Sequence, residues 1–186
     1  MALSAPQIQA APGSGQSGAH ADRSPSTIAI LATLANPIYF FWWTYQLFTF
    51  TKREGFPRAR AFWWIFVPFF GLYVIWQQLD DLRKAAQTTN SERVNPALVL
   101  GLIIGALAAD RVFGSATDAA VALVTLLAGS VLMGAALYTA QSAVSSYVAA
   151  KYPFERSRGM TVGETIATVL GVLLTALLLF GIFLPG

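Results

Sequence analysis

Residues 61–79 read AFWWIFVPFFGLYVIWQQL, an apolar stretch long enough for a membrane helix that carries Pro68 and Gly71 near its middle. Proline breaks a helix because it lacks a backbone N–H and its ring clashes with the preceding turn. The segment can therefore kink and still cross a bilayer, or turn back and leave on the side from which it came. The fold depends on which of the two it does.

The composition of the whole chain indicates that this stretch lies in a bilayer. The chain has 186 residues, of which 55% are hydrophobic and only 11% are charged. Its mean hydropathy is +0.57. Soluble domains carry about 25% charged residues. These figures exclude a disordered chain and disfavour a soluble enzyme, which needs polar surface over its core.

Five apolar segments follow a polar tail. Residues 1–26 are rich in Ala, Gly, Ser and Pro and are expected to be disordered, whereas residues 27–186 are expected to form one transmembrane helical domain. Ser24 and Pro25 predict a helix start at the end of the tail. A membrane-spanning helix needs about 20 apolar residues. The segments are 27–50, 61–79, 94–109, 119–149 and 165–184. The third is long enough only if Asp110 and Arg111 lie at the interface, or if its helix continues through Val112 and Phe113.

Positive charge distinguishes between the two topologies, since Lys and Arg accumulate in cytoplasmic loops. If all five segments cross, the 12 basic residues divide five to seven in either orientation. If residues 61–79 re-enter, ten fall on one side, and only Arg23 and Arg111 fall on the other. We therefore expect an all-α, polytopic helix bundle with four full spans, a broken re-entrant or interfacial hairpin at 61–79, and both termini outside the cytoplasm. Five spans are the alternative.

Two short motifs form a weak repeat. Residues 37–42 (PIYFFW) and 71–76 (GLYVIW) each combine a helix breaker, a Tyr and a Trp three residues later, and a basic pair follows each motif. The repeat predicts two half-helices of the same direction, each running from mid-membrane toward the cytoplasm. Two consecutive full spans would point in opposite directions, so the repeat favours the hairpin.

These motifs, together with residues 141–147 (QSAVSSY), resemble small bacterial membrane proteins known only as a domain of unknown function. The similar region is about residues 27–153. The resemblance implies a multi-pass protein of a bacterial cytoplasmic membrane, and it implies no activity, substrate or catalytic residue.

Polar side chains inside the apolar segments are the candidate functional residues. Polar groups in hydrocarbon seek partners, so hydrogen bonding between helices is their simplest role. If they converge instead, they line a polar cavity for a solute or peptide. The candidates for such a cavity are Asn36, Gln46, Gln77, Gln78 and Gln141.

Small residues mark two helix-packing faces. They repeat every four residues in the last segment and form Gly-x-x-x-Gly in the third, a spacing that lets two helix backbones approach closely. Packing within the chain is the simpler expectation, and a membrane-protein partner or a second copy is the alternative. The residues are Gly101, Gly105, Gly163, Ala167, Gly171 and Thr175.

The sequence offers no basis for catalysis, a metal site or a cofactor. Cysteine is absent, the single histidine lies in the polar tail, and the basic residues form no face suited to nucleic acid. Asp80 and Asp81 are adjacent on a helix and are expected to lie on a solvated face with Arg83 and Lys84. We therefore expect a membrane protein with a structural or interaction role, with the lipid bilayer as its first partner. A small-solute transporter or channel that uses the broken segment is the alternative.

Overall fold

The computed structural model describes residues 23–67, 69–152 and 160–182, and every helix in these ranges is α-helical apart from one 3-10 turn, so the expected all-α class is confirmed. Most of the polar tail, Pro68, Arg156 and Arg158 lie outside the described residues. In chain order the helices are α1 (Pro25–Leu34), α2 (Ile38–Arg53), the 3-10 turn (Phe62–Phe66), α3 (Phe70–Thr89), α4 (Pro96–Ser115), α5 (Ala119–Lys151) and α6 (Val162–Ile182).

Within the described ranges, three helices are long and apolar enough to cross a membrane: α4, α5 and α6. The helix α4 reaches 20 residues because it continues past Asp110 and Arg111 to Ser115. Side-chain caps set the starts of two of them, since the Asn95 carboxamide accepts hydrogen bonds from backbone N–H groups of α4 and the Asp118 carboxylate does the same for α5. At 33 residues, α5 is about 50 Å long and is the axis of the bundle.

The first apolar segment is not one helix, contrary to our expectation of a full span over residues 27–50. The helix α1 begins after an Ser24 N-cap, as predicted, but ends at Leu34, and α2 begins at Ile38. Between them lies a cis peptide bond from Asn36 to Pro37. The break follows from the proline, which cannot donate the hydrogen bond that would continue α1.

The two halves of this segment run in opposite directions along α5. The Arg23 carbonyl, at the start of α1, accepts hydrogen bonds from Gln141 and Ser145, whereas Thr33, near its end, lies against Gly134. The helix α1 is therefore antiparallel to α5. The helix α2 then returns parallel to α5, since its Trp43 bonds Gln141 and the Phe50 ring contacts Tyr147 farther on. Residues 23–53 thus form a helical hairpin whose two ends lie at the same end of the bundle.

Residues 58–81 form a second hairpin. The 3-10 turn runs down α2, with Phe62 against Tyr45 and Phe66 stacked on Phe41. The chain reverses at Phe69, whose φ of 58° is unusual for a residue other than glycine. Gly71 then lies so close to the Ile65 carbonyl that a Cβ would collide with it.

After this reversal, α3 returns to the level of Arg58, where its Asp81 meets the Arg58 side chain. The helix α3 thus runs in the same direction as α2, and each begins beside the breaker of its repeat, Gly71 or Pro37, as the repeat indicates.

The helix α6 packs on the first hairpin through its small residues. A Cβ at Gly163 would overlap the Trp42 indole, and one at Gly171 would overlap the Ala35 backbone. Thr175 donates a hydrogen bond of 3.1 Å to the Asn36 carbonyl, and Ala167, between them, is buried. The other stripe differs, because Gly105 touches Leu132 of α5 while Gly101 faces open space.

This packing predicts different outcomes for the same substitution at two glycines of α6. Gly171→Ala should lower the free energy of unfolding in detergent by about 1–3 kcal/mol, because the Ala35 backbone cannot move aside easily. Gly181→Ala, where nothing lies within 4 Å of the added Cβ, should leave stability unchanged or raise it slightly. Equal effects at both positions would contradict the described packing of α6.

Candidate functional site

An ion cluster joins the two ends of the second hairpin. The Arg58 Nη2 donates to Asp80 Oδ2 at 2.7 Å and also to Asp81, while its Nε donates to Asp81 Oδ1 at 2.8 Å. The Arg58 backbone N–H contacts the second Asp81 oxygen at 3.2 Å. The Arg58 carbonyl accepts a hydrogen bond of 2.8 Å from Gln78. Residues about 20 positions apart along the chain are thus held together by five hydrogen bonds.

Both carboxylates of this cluster are buried, so the solvated face expected for Asp80 and Asp81 is wrong. They are 3% and 4% exposed, since the loop that carries Arg58 folds over them. Lys84 and Arg83 also contact Asp80, at 2.8 and 2.6 Å.

Hydrogen bonds from Lys84 and Arg58 hold the pKa of Asp80 well below its ordinary value of 3.8, although burial alone would raise the pKa. The stability that this ionised carboxylate contributes is therefore present above that ordinary value and is lost only as the pH falls below it.

A second buried ion pair connects the start of α1 to the start of α6. Arg23 Nη2 lies 2.7 Å from Glu164 Oε2, and the Tyr39 hydroxyl of α2 donates to the other Glu164 oxygen at 3.1 Å. The Thr161 hydroxyl accepts a hydrogen bond from the Glu164 backbone N–H and caps α6. A carboxylate in the first turn of a helix is favoured by the helix dipole. Glu164 has this position in α6 and also connects three helices.

Gln141 of α5 lies next to this pair. Its Oε1 accepts a hydrogen bond of 3.0 Å from the Trp43 indole, and its Nε2 lies 3.4 Å from both the Arg23 carbonyl and the Ser145 hydroxyl. Gln141 is fully buried and Trp43 is 1% exposed. One carboxamide therefore joins the second half of α5 to both arms of the first hairpin.

A third cluster lies at the end of α5 and involves Glu54, which follows α2. Glu54 accepts hydrogen bonds of 3.0 Å from the hydroxyls of Tyr147 and Tyr152, and Lys151 forms an ion pair with it. Burial and the nearby Glu54 raise the pKa of the Tyr152 hydroxyl, so it remains a protonated donor. This cluster fixes the exit of the first hairpin against α5.

The five residues predicted to line a polar cavity have separate surroundings. Gln141 bonds Trp43, Gln78 bonds the Arg58 carbonyl, and the Asn36 carbonyl bonds Thr175. Asn36, Gln77, Gln78 and Gln141 are buried, whereas Gln46 is half-buried. The side-chain oxygens of Asn36, Gln77 and Gln78 are buried and accept no hydrogen bond among the described residues.

Neither of two open cavities lined by described residues includes any of these five side chains. One is an apolar groove of about 460 Å³ between α2, the 3-10 turn and α6, lined chiefly by aromatic and aliphatic side chains such as Phe41, Tyr45, Phe62 and Ile166. The other, of about 410 Å³, lies at the opposite end of the bundle, between the α4–α5 connection at Thr117 and the last turns of α6.

Sequence reasoning did not single out Arg58, Arg23 or Glu54, each of which belongs to one of the three charged clusters. In the sequence Arg58 is only one of the ten loop charges, although a loop cation 22 residues before Asp80 becomes its neighbour once the segment folds back. The hairpin prediction thus contained a signal for this pair. Nothing comparable in the sequence pointed to Glu54, because its partners lie more than 90 residues away.

No protein-family model, curated protein or solved structure matches this chain. The geometry of the polar contacts is therefore the basis for any functional proposal.

The ion cluster of the second hairpin gives a thermodynamic-cycle prediction. Asp81→Asn should lower the free energy of unfolding by about 2–4 kcal/mol, because it removes one partner of a buried pair. Arg58→Met should cost a similar amount, and the double variant should lose less than the sum of the two. Arg83→Gln, at an exposed side chain, is the control and should cost less than about 1 kcal/mol. Strict additivity of Asp81→Asn and Arg58→Met would contradict the assigned contact.

Proposed function

We propose that the chain is a small integral membrane protein with a structural or interaction role, in which α4, α5 and α6 cross the bilayer and two helical hairpins enter from the cytoplasmic side. This topology replaces the four spans expected from sequence with three spans and two re-entrant hairpins. The start of α1 then lies on the cytoplasmic side and the end of α6 on the other.

The distribution of basic residues supports this orientation. Nine of the ten described Lys and Arg residues lie at the end of the bundle where α5 finishes and where both hairpins begin and end. In the sequence, two more basic residues follow between α5 and α6. Only Arg111 lies at the opposite end. Arg23, expected outside the cytoplasm, contacts Glu164 and α5 at the basic end instead. Because basic residues favour the cytoplasmic side, this end is assigned to the cytoplasm.

One observation supports the proposed role: the main buried charged and polar side chains bind one another. Arg58 binds Asp80 and Asp81, Arg23 binds Glu164, and Trp43 binds Gln141. In each case the bond joins a hairpin to another element or closes it. Side chains used in this way hold the bundle together, so we infer that the protein acts through its shape and surface rather than through catalysis.

A transporter or channel remains the second candidate, because two observations favour it. The hairpin break places Asn36 deep in the bundle with its side-chain oxygen buried and unbonded, as broken helices do at solute sites. A cavity of about 410 Å³ also opens at the far end of the three spans. Leu177 is the first residue of α6 that lines this cavity. It lies two residues beyond Thr175, which contacts the Asn36 carbonyl.

The resemblance to small bacterial membrane proteins of unknown function leads us to propose a bacterial cytoplasmic membrane as the location. The apolar surface of α6 supports a lipid environment, since only 11% of its most apolar 18-residue window is buried in the protein.

The topology predicts the labelling pattern of single cysteines, which are simple to interpret because the chain has no native thiol. Cysteines replacing Ser26, Arg60 and Thr88 should react with a membrane-impermeant reagent from the same side of sealed vesicles, and one replacing Thr117 from the other. All four side chains lie on exposed positions. Opposite labelling of positions 60 and 88 would show that the second hairpin crosses the membrane and would reject the topology.

The structural role predicts that Gln141 matters for stability. Gln141→Leu should lower the free energy of unfolding by about 1–2 kcal/mol, because hydrogen bonds between membrane helices contribute about 0.6 kcal/mol each and the Trp43 indole loses its acceptor. Gln46→Leu is the matched control at a half-buried position of α2 and should change stability little. If both variants are as stable as the parent protein while solute flux through reconstituted vesicles changes, the transporter proposal is favoured.

A further inference from the structure

The number of helices differs between the two ends of the bundle. Five of the fifteen residues of α5 before Gly134 are buried, whereas nine of the fifteen from Gly134 to Val148 are. The first part of α5 packs chiefly on α4, and the later part also carries α1, α2 and α3. The change in burial along α5 therefore shows where the hairpins end.

The tip of the first hairpin contacts both α6 and α5, and these contacts show how far the hairpin extends along each span. Ala35 lies against Gly171 of α6, and the Asn36 carbonyl accepts its hydrogen bond from Thr175. Beyond Thr175, seven residues of α6 continue, or about 10 Å, and no described residue in this stretch is buried. On α5, Gly134 faces the hairpin, and fifteen residues, or about 22 Å, precede it.

The second hairpin ends at a similar depth. Its Phe66 stacks on Phe41, one turn from the start of α2, and Phe69 at the reversal is 89% exposed. The half of the bundle that contains the hairpins therefore has all six α-helices and the 3-10 turn, against three helices in the other half. Since a helix with side chains is about 10–12 Å across, the first half has roughly twice the cross-sectional area of the second.

We propose that this chain is a wedge in the bilayer and favours membranes that are curved so that the cytoplasmic leaflet is expanded. This inference rests on the proposed topology, which places the wide half in the cytoplasmic leaflet. A flat bilayer must deform to surround a body of unequal width, and each deformation has an energetic cost. Curvature that spreads the headgroups on the wide side lowers this cost, as it does for helices inserted into one leaflet only.

The exposed side chains of the narrow half indicate that lipid acyl chains surround it. Its exposed side chains are aliphatic or aromatic on two different spans, for example Val124 at 64%, Leu177 at 67% and Phe180 at 65%. Exposed apolar side chains are also found on the third span, where Val112 of α4 is 48% exposed. A second copy would cover one side of this half, whereas lipid can surround all three helices.

The experiment reconstitutes the full chain carrying Thr88→Cys into vesicles of graded diameter and measures the fraction labelled from outside by an impermeant thiol reagent. Each vesicle population holds both orientations, so the protein inserted with its wide half facing the lumen is the matched control. In small vesicles, whose outer leaflet is expanded, the orientation with position 88 outside should exceed the other at least about twofold. This excess should shrink as the diameter grows.

An orientation ratio that does not depend on vesicle diameter would overturn the wedge. The same preparations carrying Arg60→Cys or Thr117→Cys distinguish this failure from a failure of the topology. If positions 60 and 88 label together and opposite to 117 while the ratio stays flat, only the wedge is rejected. If cross-linking shows a dimer that covers the narrow half of α5 and α6, the unequal width is lost and the proposal is likewise rejected.

Discussion

The fold depends on the way that Arg58 holds two ends of one apolar segment together. Four of its polar atoms are engaged at once: Nε, Nη2 and the backbone N–H bind the carboxylates of Asp80 and Asp81, and the carbonyl accepts from Gln78. A segment whose flanks are joined in this way cannot also place them on opposite sides of a bilayer. The charge cluster therefore determines the direction of α3 and, in the proposed topology, the side of the bilayer on which α4 begins.

The first hairpin is also held in a folded-back arrangement by polar contacts, although different side chains make them. Its entrance is fixed by Arg23 to Glu164 and to α5, its middle by Trp43 to Gln141, and its exit by Glu54 to the end of α5. Polar groups enclosed by protein are costly when unpaired, so each of these contacts favours the folded-back arrangement over a continuous helix. In the proposed topology the two hairpins share one leaflet, which produces the unequal width of the bundle.

Much of this arrangement follows from sequence, and the exceptions have physical causes. The all-α class, the helix starts at Ser24 and Pro25, the extension of α4 past Asp110, and the fold-back of residues 61–79 agree with composition, caps and breakers. The full span expected for the first segment is wrong because Pro37 interrupts it despite the apolar length around it. One interrupting proline is compatible with a kinked span or a reversal, and the tertiary contacts of α5 decide between them.

The side-chain partners were harder to predict, because they depend on which elements become neighbours. Asp80 and Asp81 look like surface residues on an isolated helix, and only the loop that covers them makes them a buried site. The helix-packing glycines illustrate the same point, since Gly171 meets a backbone at the hairpin tip while Gly101, in an equivalent motif, faces open space.

The most direct test is the distance between spin labels attached at the exposed positions 60 and 84 of the protein in a bilayer, measured by pulsed electron paramagnetic resonance. Because Arg58 contacts Asp80, the account predicts a single distance distribution well below the ~30 Å thickness of the hydrocarbon core. A distance at or above that thickness would place the two labels on opposite sides of the membrane and would contradict the fold-back of the second hairpin.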